Sequence, residues 1–179
     1  MWSAPGYTGG PLRSLLVLGV ASSPTARRSY EDRLARALTE RGVGALPSYQ
    51  VLPSDERLGE PAIVELVRAR GLDGVVVTRV LGVDEKTTHV PPSTRVVAGP
   101  YGRFGYYGYY GASWDVVHDP GYSYTTTIVR LETQLYDARS GDFVWGAQSD
   151  TFNPSTQEEI IESVAKAVSA RLAKDGLVP

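Results

Sequence analysis

TTTIVRLETQLYDARSGDFVWGAQSDTFN, residues 125–153, reads as two strands joined by a tight turn and followed at once by a helix. In the first strand Val129, Leu131, Thr133 and Leu135 share one face, and Arg130, Glu132 and Gln134 share the other. That period of two belongs to a sheet with one wet side. In the second strand Phe143, Trp145 and Ala147 are placed together on one face. The turn is Asp137 to Gly141: Asp137 can accept from backbone N–H groups ahead of it, and Gly141 can take the positive φ that a Cβ penalises. A loop of this length ending in glycine predicts a type I turn closing on a bulge. The stretch decides architecture and contains no converging reactive groups.

Working outward, Ser14–Ala21 (SLLVLGVA) is a continuous apolar run, the mark of a strand covered on both faces. Ser22-Ser23-Pro24 supplies a helix start, serine as cap and proline at the first helical position. The helix is expected to reach Arg41, to bury Tyr30, Leu34, Ala37 and Leu38, and to stop at Gly42. Residues 44–52 form a weaker strand, and Pro47 suggests that it lies at a sheet edge. Pro61 opens a second helix with Ile63, Leu66 and Val67 inward and Gly71 at its end. The run Val75–Leu81 is the most β-prone of the chain and is expected at the centre, beside Leu15–Ala21, with pairing continuing through Glu85 to Val90. After the hairpin, Ser155-Thr-Gln-Glu158 has the form of a capping box. Ile161, Val164, Val168 and Leu172 then mark a helix that ends near Gly176. The fold class is therefore α/β, in the order β-α-β-α-β-β-β-α, a mixed sheet with helices packed against it.

The 179 residues suit one domain able to bury its own core. A hydrophobic fraction of 42% and a charged fraction of 21% are ordinary globular values. A net charge of −2, with scattered arginines, argues against a nucleic-acid surface. There is no cysteine, which excludes disulfides, zinc thiolate sites and cysteine nucleophiles in this chain. No apolar run is long enough for a membrane-spanning helix. Residues 1–13 (MWSAPGYTGGPLR) are small, Gly- and Pro-rich, and resemble the flexible tether that follows a removed signal peptide. They are read as such, with a single domain over 14–179.

A Gly/Tyr-rich loop at about 99–124 breaks the pattern, with seven of the eleven tyrosines set among six glycines. A loop this long inside a domain is functional or disordered. Tyrosine offers broad contact area with a polar tip, so Tyr106, Tyr107, Tyr109, Tyr110 and Trp114 are the candidate binding residues for a protein or a sugar. An enzyme would have to use His118 and Asp119 with Asp115, as a hydrolase or small-ligand site, and a Gly-rich loop is a weak setting for one. Ser163-Val-Ala-Lys166 matches S-x-x-K of penicillin-recognising enzymes, but lies on the amphipathic last helix without S-D-N or K-T-G partners. G-Y-Y-G-Y-Y-G lacks the Lys-Ser/Thr of a phosphate loop. Asp84-Glu85 and Glu158-Glu159 read as solvated pairs, the latter favoured by a helix N-terminus. No cofactor or metal is expected, and no catalytic residue is assigned.

The tract LETQLYDARSGDFVWGAQSDTFN with its terminal helix resembles the closing unit of small bacterial envelope lipoproteins of unknown function. RLARALTERGV and ARGLDGVVVTRVLGV are similar in style to that group. The architecture is similar to the N-terminal domain of TolB, the curli-secretion lipoprotein and the lipoprotein activators of penicillin-binding proteins. The resemblance covers roughly residues 14–175 and rests on structural motifs. It implies a non-enzymatic domain on the periplasmic side, anchored through a lipid-bearing cysteine lost with the leader, and partnered by an envelope protein or cell-wall polymer. Open sheet edges also leave room for a self-assembling subunit.

Overall fold

The computed structural model describes residues 2–3, 7, 9–21, 23–52, 60–96, 116–119 and 121–179. Two compact units emerge, Met1–Asp84 with Thr127–Pro179, and Glu85–Thr126. The strands are β1 (Trp2–Ser3), β2 (Ser14–Val20), β3 (Gly44–Pro47), β4 (Gly74–Val90), β5 (Ser93–Val96), β6 (Val116–Asp119), β7 (Tyr122–Asp137) and β8 (Phe143–Phe152). The helices are α1 (Pro24–Thr39), α2 (Glu60–Arg70) and α3 (Gln157–Lys174), with a 3-10 turn at Ser48–Gln50.

The first unit is built on a mixed sheet in the order β1-β8-β7-β4-β2-β3. β2 runs parallel to both β3 and β4, with Val17 opposite Val76 and Pro47, so the two apolar runs are neighbours as expected. Pro47 sits in the edge strand, where its missing N–H costs no ladder bond. β7 and β8 are antiparallel, and Thr78–Thr133 and Arg79–Glu132 contacts show β7 antiparallel to β4 as well. The expected α/β order is present, with β1 and a separate β5–β6 pair added to it. Within the stretch read as a tether, Trp2–Ser3 pair with β8, Leu12 is buried, and the Leu12 N–H donates to the Leu177 carbonyl at 2.8 Å.

The hairpin turn follows its chemistry. Asp137 Oδ1 accepts from the N–H of Arg139 (2.7 Å) and Ser140 (3.1 Å), Gly141 takes φ +77°, and the register slips between Leu135 and Tyr136. That slip corrects one expectation. Phe143 does not share the face of Trp145; it lies opposite Tyr136, ring centroids 5.6 Å apart, and covers Gly146, where a Cβ would come within 2.7 Å of its ring. The bulge removes one residue of alternation and so turns Phe143 over.

Val129, Leu131, Leu135 and Trp145 meet Leu15, Val17 and Val76 in one core with Leu34 and Leu38 of α1 and Val164, Val168 and Leu172 of α3. Arg33 of α1 pairs with Glu162 of α3 at 2.6 Å, and Glu40 and Ser169 line the same groove further along, so the two helices run parallel. Ser23 caps α1 by accepting from the Ala26 N–H at 3.4 Å, and Thr156 caps α3 by accepting from the Glu159 N–H at 3.1 Å. The α1 stripe is shifted from expectation: Glu31 and Ala35 are buried and Ala37 is half-exposed. The second unit contains the antiparallel β5–β6 pair and the distal part of β4, where His89 Nδ1 lies 2.9 Å from Ser123 Oγ.

Candidate functional site

A fully buried carboxylate is the first place to look for chemistry, and Glu31 is one, with no exposed surface. Its Oε1 accepts from the Gly19 N–H (2.9 Å), the Arg27 Nε–H (2.9 Å) and the Ser48 hydroxyl (2.7 Å); Oε2 accepts from the Tyr49 N–H (2.9 Å). These donors come from the end of β2, from α1 and from the 3-10 turn. Gly19 permits the approach, since a Cβ there would already stand 3.3 Å from the Tyr30 ring. With four donors in place the carboxylate is committed to joining elements. The sequence did carry a signal, because Glu31 stands four and seven residues before the buried Ala35 and Leu38.

The same holds for the neighbouring polar groups. The Tyr30 hydroxyl donates to Thr78 Oγ1 at 2.6 Å, and Thr78 and Thr133 hydroxyls lie 2.9 Å apart, a short buried chain from α1 to β4 and β7. Burial pushes the Tyr30 phenol up to about 12 despite those bonds. A raised folded pKa gives stability that is complete below the unfolded value and lost through the folded one. Stability is therefore expected to fall between about pH 10 and 12, by about 3 kcal/mol from this group. Tyr30→Phe should remove that alkaline loss at a cost near neutrality of about 1 kcal/mol. Urea unfolding of both proteins from pH 8 upward checks it, and parallel curves would refute it. Among the described residues no buried side-chain polar atom lacks a partner, and no group of three His, Asp or Glu could hold a metal ion.

Two carboxylates tie chain ends to the sheet. Burial alone would raise Asp73, but the N–H groups of Arg13 and Ser14, the Ser14 hydroxyl and the Arg139 guanidinium hold it below the usual carboxylate range. Asp175 is likewise held down, against burial, by bonds from Arg171 Nε (2.9 Å) and Trp145 Nε1 (2.9 Å).

What remains is surface. At the carboxyl ends of β2 and β4 the connections leave in opposite directions, β2 toward β3 and β4 away from it. Such a point leaves a crevice in open α/β sheets. Here it is an apolar cleft of about 110 Å³, walled by Val20, Ala26, Val80, Leu131, Ile160 and Ile161. That is small beside the few hundred Å³ of an ordinary ligand pocket. β2 ends opposite Arg79, and β4 runs on past it. Val20 (59% exposed), Val80 (49%), Leu81 and Val83 (59%) consequently stand in solvent, and Phe152 (61%) is exposed at the end of β8, which runs parallel to β4. A second groove, about 550 Å³ between α1 and α3, is lined by Arg33, Arg36, Arg41 and Lys166 with Glu40 and Glu162.

The sequence-derived binding residues Tyr106, Tyr107, Tyr109, Tyr110 and Trp114 lie outside the described residues, as does Asp115. His118 and Asp119 are in β6, opposite Thr94 and Ser93, so the end of the stretch read as a loop is strand, as is Tyr122–Tyr124 of β7. Ser163 donates to the Ile160 carbonyl on the exposed side of α3, an ordinary helix contact. The exposed valines of β4 escaped the sequence reading because a β-prone run cannot show where its neighbour strand stops.

No protein-family model matches the chain, and no curated protein matches its sequence. Solved structures do match. A dodecameric PelC variant from Paraburkholderia phytofirmans aligns over 96% of this chain and 95% of its own, with 16% identity and a TM-score of 0.50. A lipoprotein from Neisseria meningitidis aligns over 90% of this chain and 98% of its own, with 16% identity and a TM-score of 0.47. TolB from Acinetobacter baumannii aligns over 97% of this chain but 30% of its own, with 13% identity and a TM-score of 0.43. The likeness is one of fold: the α/β mixed sheet with helices packed against it, expected from the sequence, is the architecture observed.

Proposed function

We propose that this chain is a non-enzymatic module of the bacterial cell envelope that works by holding other proteins, from the periplasmic side and on a lipid tether. One observation carries the reading. Among the described residues every buried polar side-chain atom has a partner, and Glu31, Tyr30 and Thr78 join separate elements, whereas large apolar side chains at Val20, Val80, Val83 and Phe152 are left in water at the carboxyl ends of the strands. By strand alternation Val80 and Phe152 lie on opposite faces of the sheet, and exposed apolar side chains of this kind mark surfaces that another protein covers. The fold shared with PelC, whose solved form is a dodecamer, supports an assembly role.

The test is made in the native bacterium. A photo-reactive amino acid at Val80, Val83 or Phe152 is expected to give discrete protein adducts in the envelope fraction, while the same residue at exposed Asp32 gives none. A protein found wholly in the cytosol, or adducts no stronger at these positions than at Asp32, would end the proposal.

A further inference from the structure

The charges along the groove between α1 and α3 are not evenly paired. Arg33 of α1 and Glu162 of α3 close one end of it with their 2.6 Å ion pair. Because the helices run parallel, the next turn brings Arg36 level with Lys166, and the one after brings Glu40 and Arg41 level with Ser169. The floor is made of small side chains, Ala37, Ala165 and Ser169, which leaves a concavity of about 550 Å³ between the walls.

Arg36 and Lys166 therefore stand on opposite walls with the same sign of charge, and Arg41 adds a third cation beyond them. Like charges held together repel. The carboxylates of the groove do not relieve them: Glu162 is taken by Arg33, and Glu40 forms no ion pair. Among the described residues no other carboxylate pairs with Arg36, Arg41 or Lys166. Arg36, Glu40, Arg41 and Lys166 are all exposed, so the groove is open to solvent. Four cations against two carboxylates leave a charge of +2 there, on a chain whose net charge is −2. The helix macrodipole accounts for Arg36, which lies in the last turn of α1. It does not account for Lys166, which sits in the middle of α3.

We propose that this groove binds a phosphate monoester, its phosphate bridging Arg36 and Lys166. Such a group carries about −2 near neutral pH and has three oxygens pointing in different directions, so it can meet cations on both walls at once. A carboxylate has a single charge and two coplanar oxygens, which suits one guanidinium. The guanidinium fork and the lysine point charge are both ordinary phosphate ligands. A bare phosphate would fill little of the groove, whose volume suits a small molecule with a polar body. The inference does not rest on the assembly reading. The same ester can be offered in solution or as the headgroup of a lipid, and the test separates the two.

Isothermal titration calorimetry at low salt compares glucose 1-phosphate, glucuronate and glucose on the wild-type chain. Glucose 1-phosphate is expected to bind about tenfold more tightly than glucuronate, and glucose not at all. Arg36→Gln and Lys166→Gln should each weaken the ester about fivefold with the melting temperature unchanged, and Glu40→Gln should tighten it about threefold. Lys174→Gln removes a charge of the same sign outside the groove and should leave binding as it was. Co-sedimentation with phosphatidylcholine vesicles containing phosphatidic acid, a lipid monoester, supplies the second arm. Capture by these vesicles that Lys166→Gln abolishes assigns the ligand to a membrane; binding of glucose 1-phosphate without such capture assigns it to solution. Binding of neither ester, a preference for glucuronate, or equal losses at Lys174 and Lys166 would overturn the proposal.

Discussion

Replacing Glu31 with alanine is expected to lower stability by about 3–5 kcal/mol, the usual cost of removing one partner from a buried charged pair. The loss would strand the Gly19 and Tyr49 N–H groups, the Ser48 hydroxyl and the Arg27 guanidinium together, where water has no access to the carboxylate's place. Since a domain of ordinary stability has about 5–15 kcal/mol in all, this one substitution would bring it close to unfolding at physiological temperature. Glu31→Gln separates geometry from charge. Its carbonyl can keep the three donors on Oε1, but its amide N–H₂ would then confront the Tyr49 N–H, so an intermediate loss of about 1–3 kcal/mol is expected. Urea midpoints with unchanged slopes would give both numbers. A loss below about 1 kcal/mol for the alanine variant would show that the network contributes little beyond what water supplies.

The second large effect is at Trp145, which is fully buried and joins β8 to the end of α3. Trp145→Ala should cost about 3–5 kcal/mol through lost burial and the cavity left beneath α3. Trp145→Phe keeps much of the volume and loses only the N–H donated to Asp175, for about 1 kcal/mol. The sign of its pH dependence follows from Asp175, whose folded pKa is depressed. That depression gives stability above the unfolded carboxylate value, lost as pH falls through the folded one. The cost of Trp145→Phe should therefore shrink as pH drops below about 3.9, since the bond it removes favours the ionised carboxylate. Thermal melts at pH 7 and pH 3 compare the two variants, and a cost that grew at low pH would contradict the assignment.

Much of the fold was legible because its signals are local. The alternation of Val129 to Leu135, the Asp137–Gly141 turn and the Ser23 cap each act within a few residues, whereas the cap of α3 was read one residue early, at Ser155 with Glu158 instead of Thr156 with Glu159. The neighbourhood of β2 and β4 followed from two apolar runs and crossovers of helical length. Errors arose where one residue of offset decides a side: the bulge that turned Phe143 over, and the Ala35 rather than Ala37 phase of α1. Glu31 was missed because an acidic residue on a helix reads as solvated until Gly19, Ser48 and Tyr49 are brought around it. The candidate site was less legible still. Exposure of Val80 and Val83 depends on β2 ending at Val20, which no periodicity in β4 records.

The claim on which this account turns is that the exposed side chains beyond the end of β2 carry function while the buried polar groups carry shape. It is tested most directly by the adduct yield from a photo-reactive residue at position 152 in a Val80→Ser, Val83→Ser background, in the native cell. The yield should collapse while the melting temperature stays within the few degrees that about 1 kcal/mol allows. An undiminished yield in that folded double variant would contradict the account.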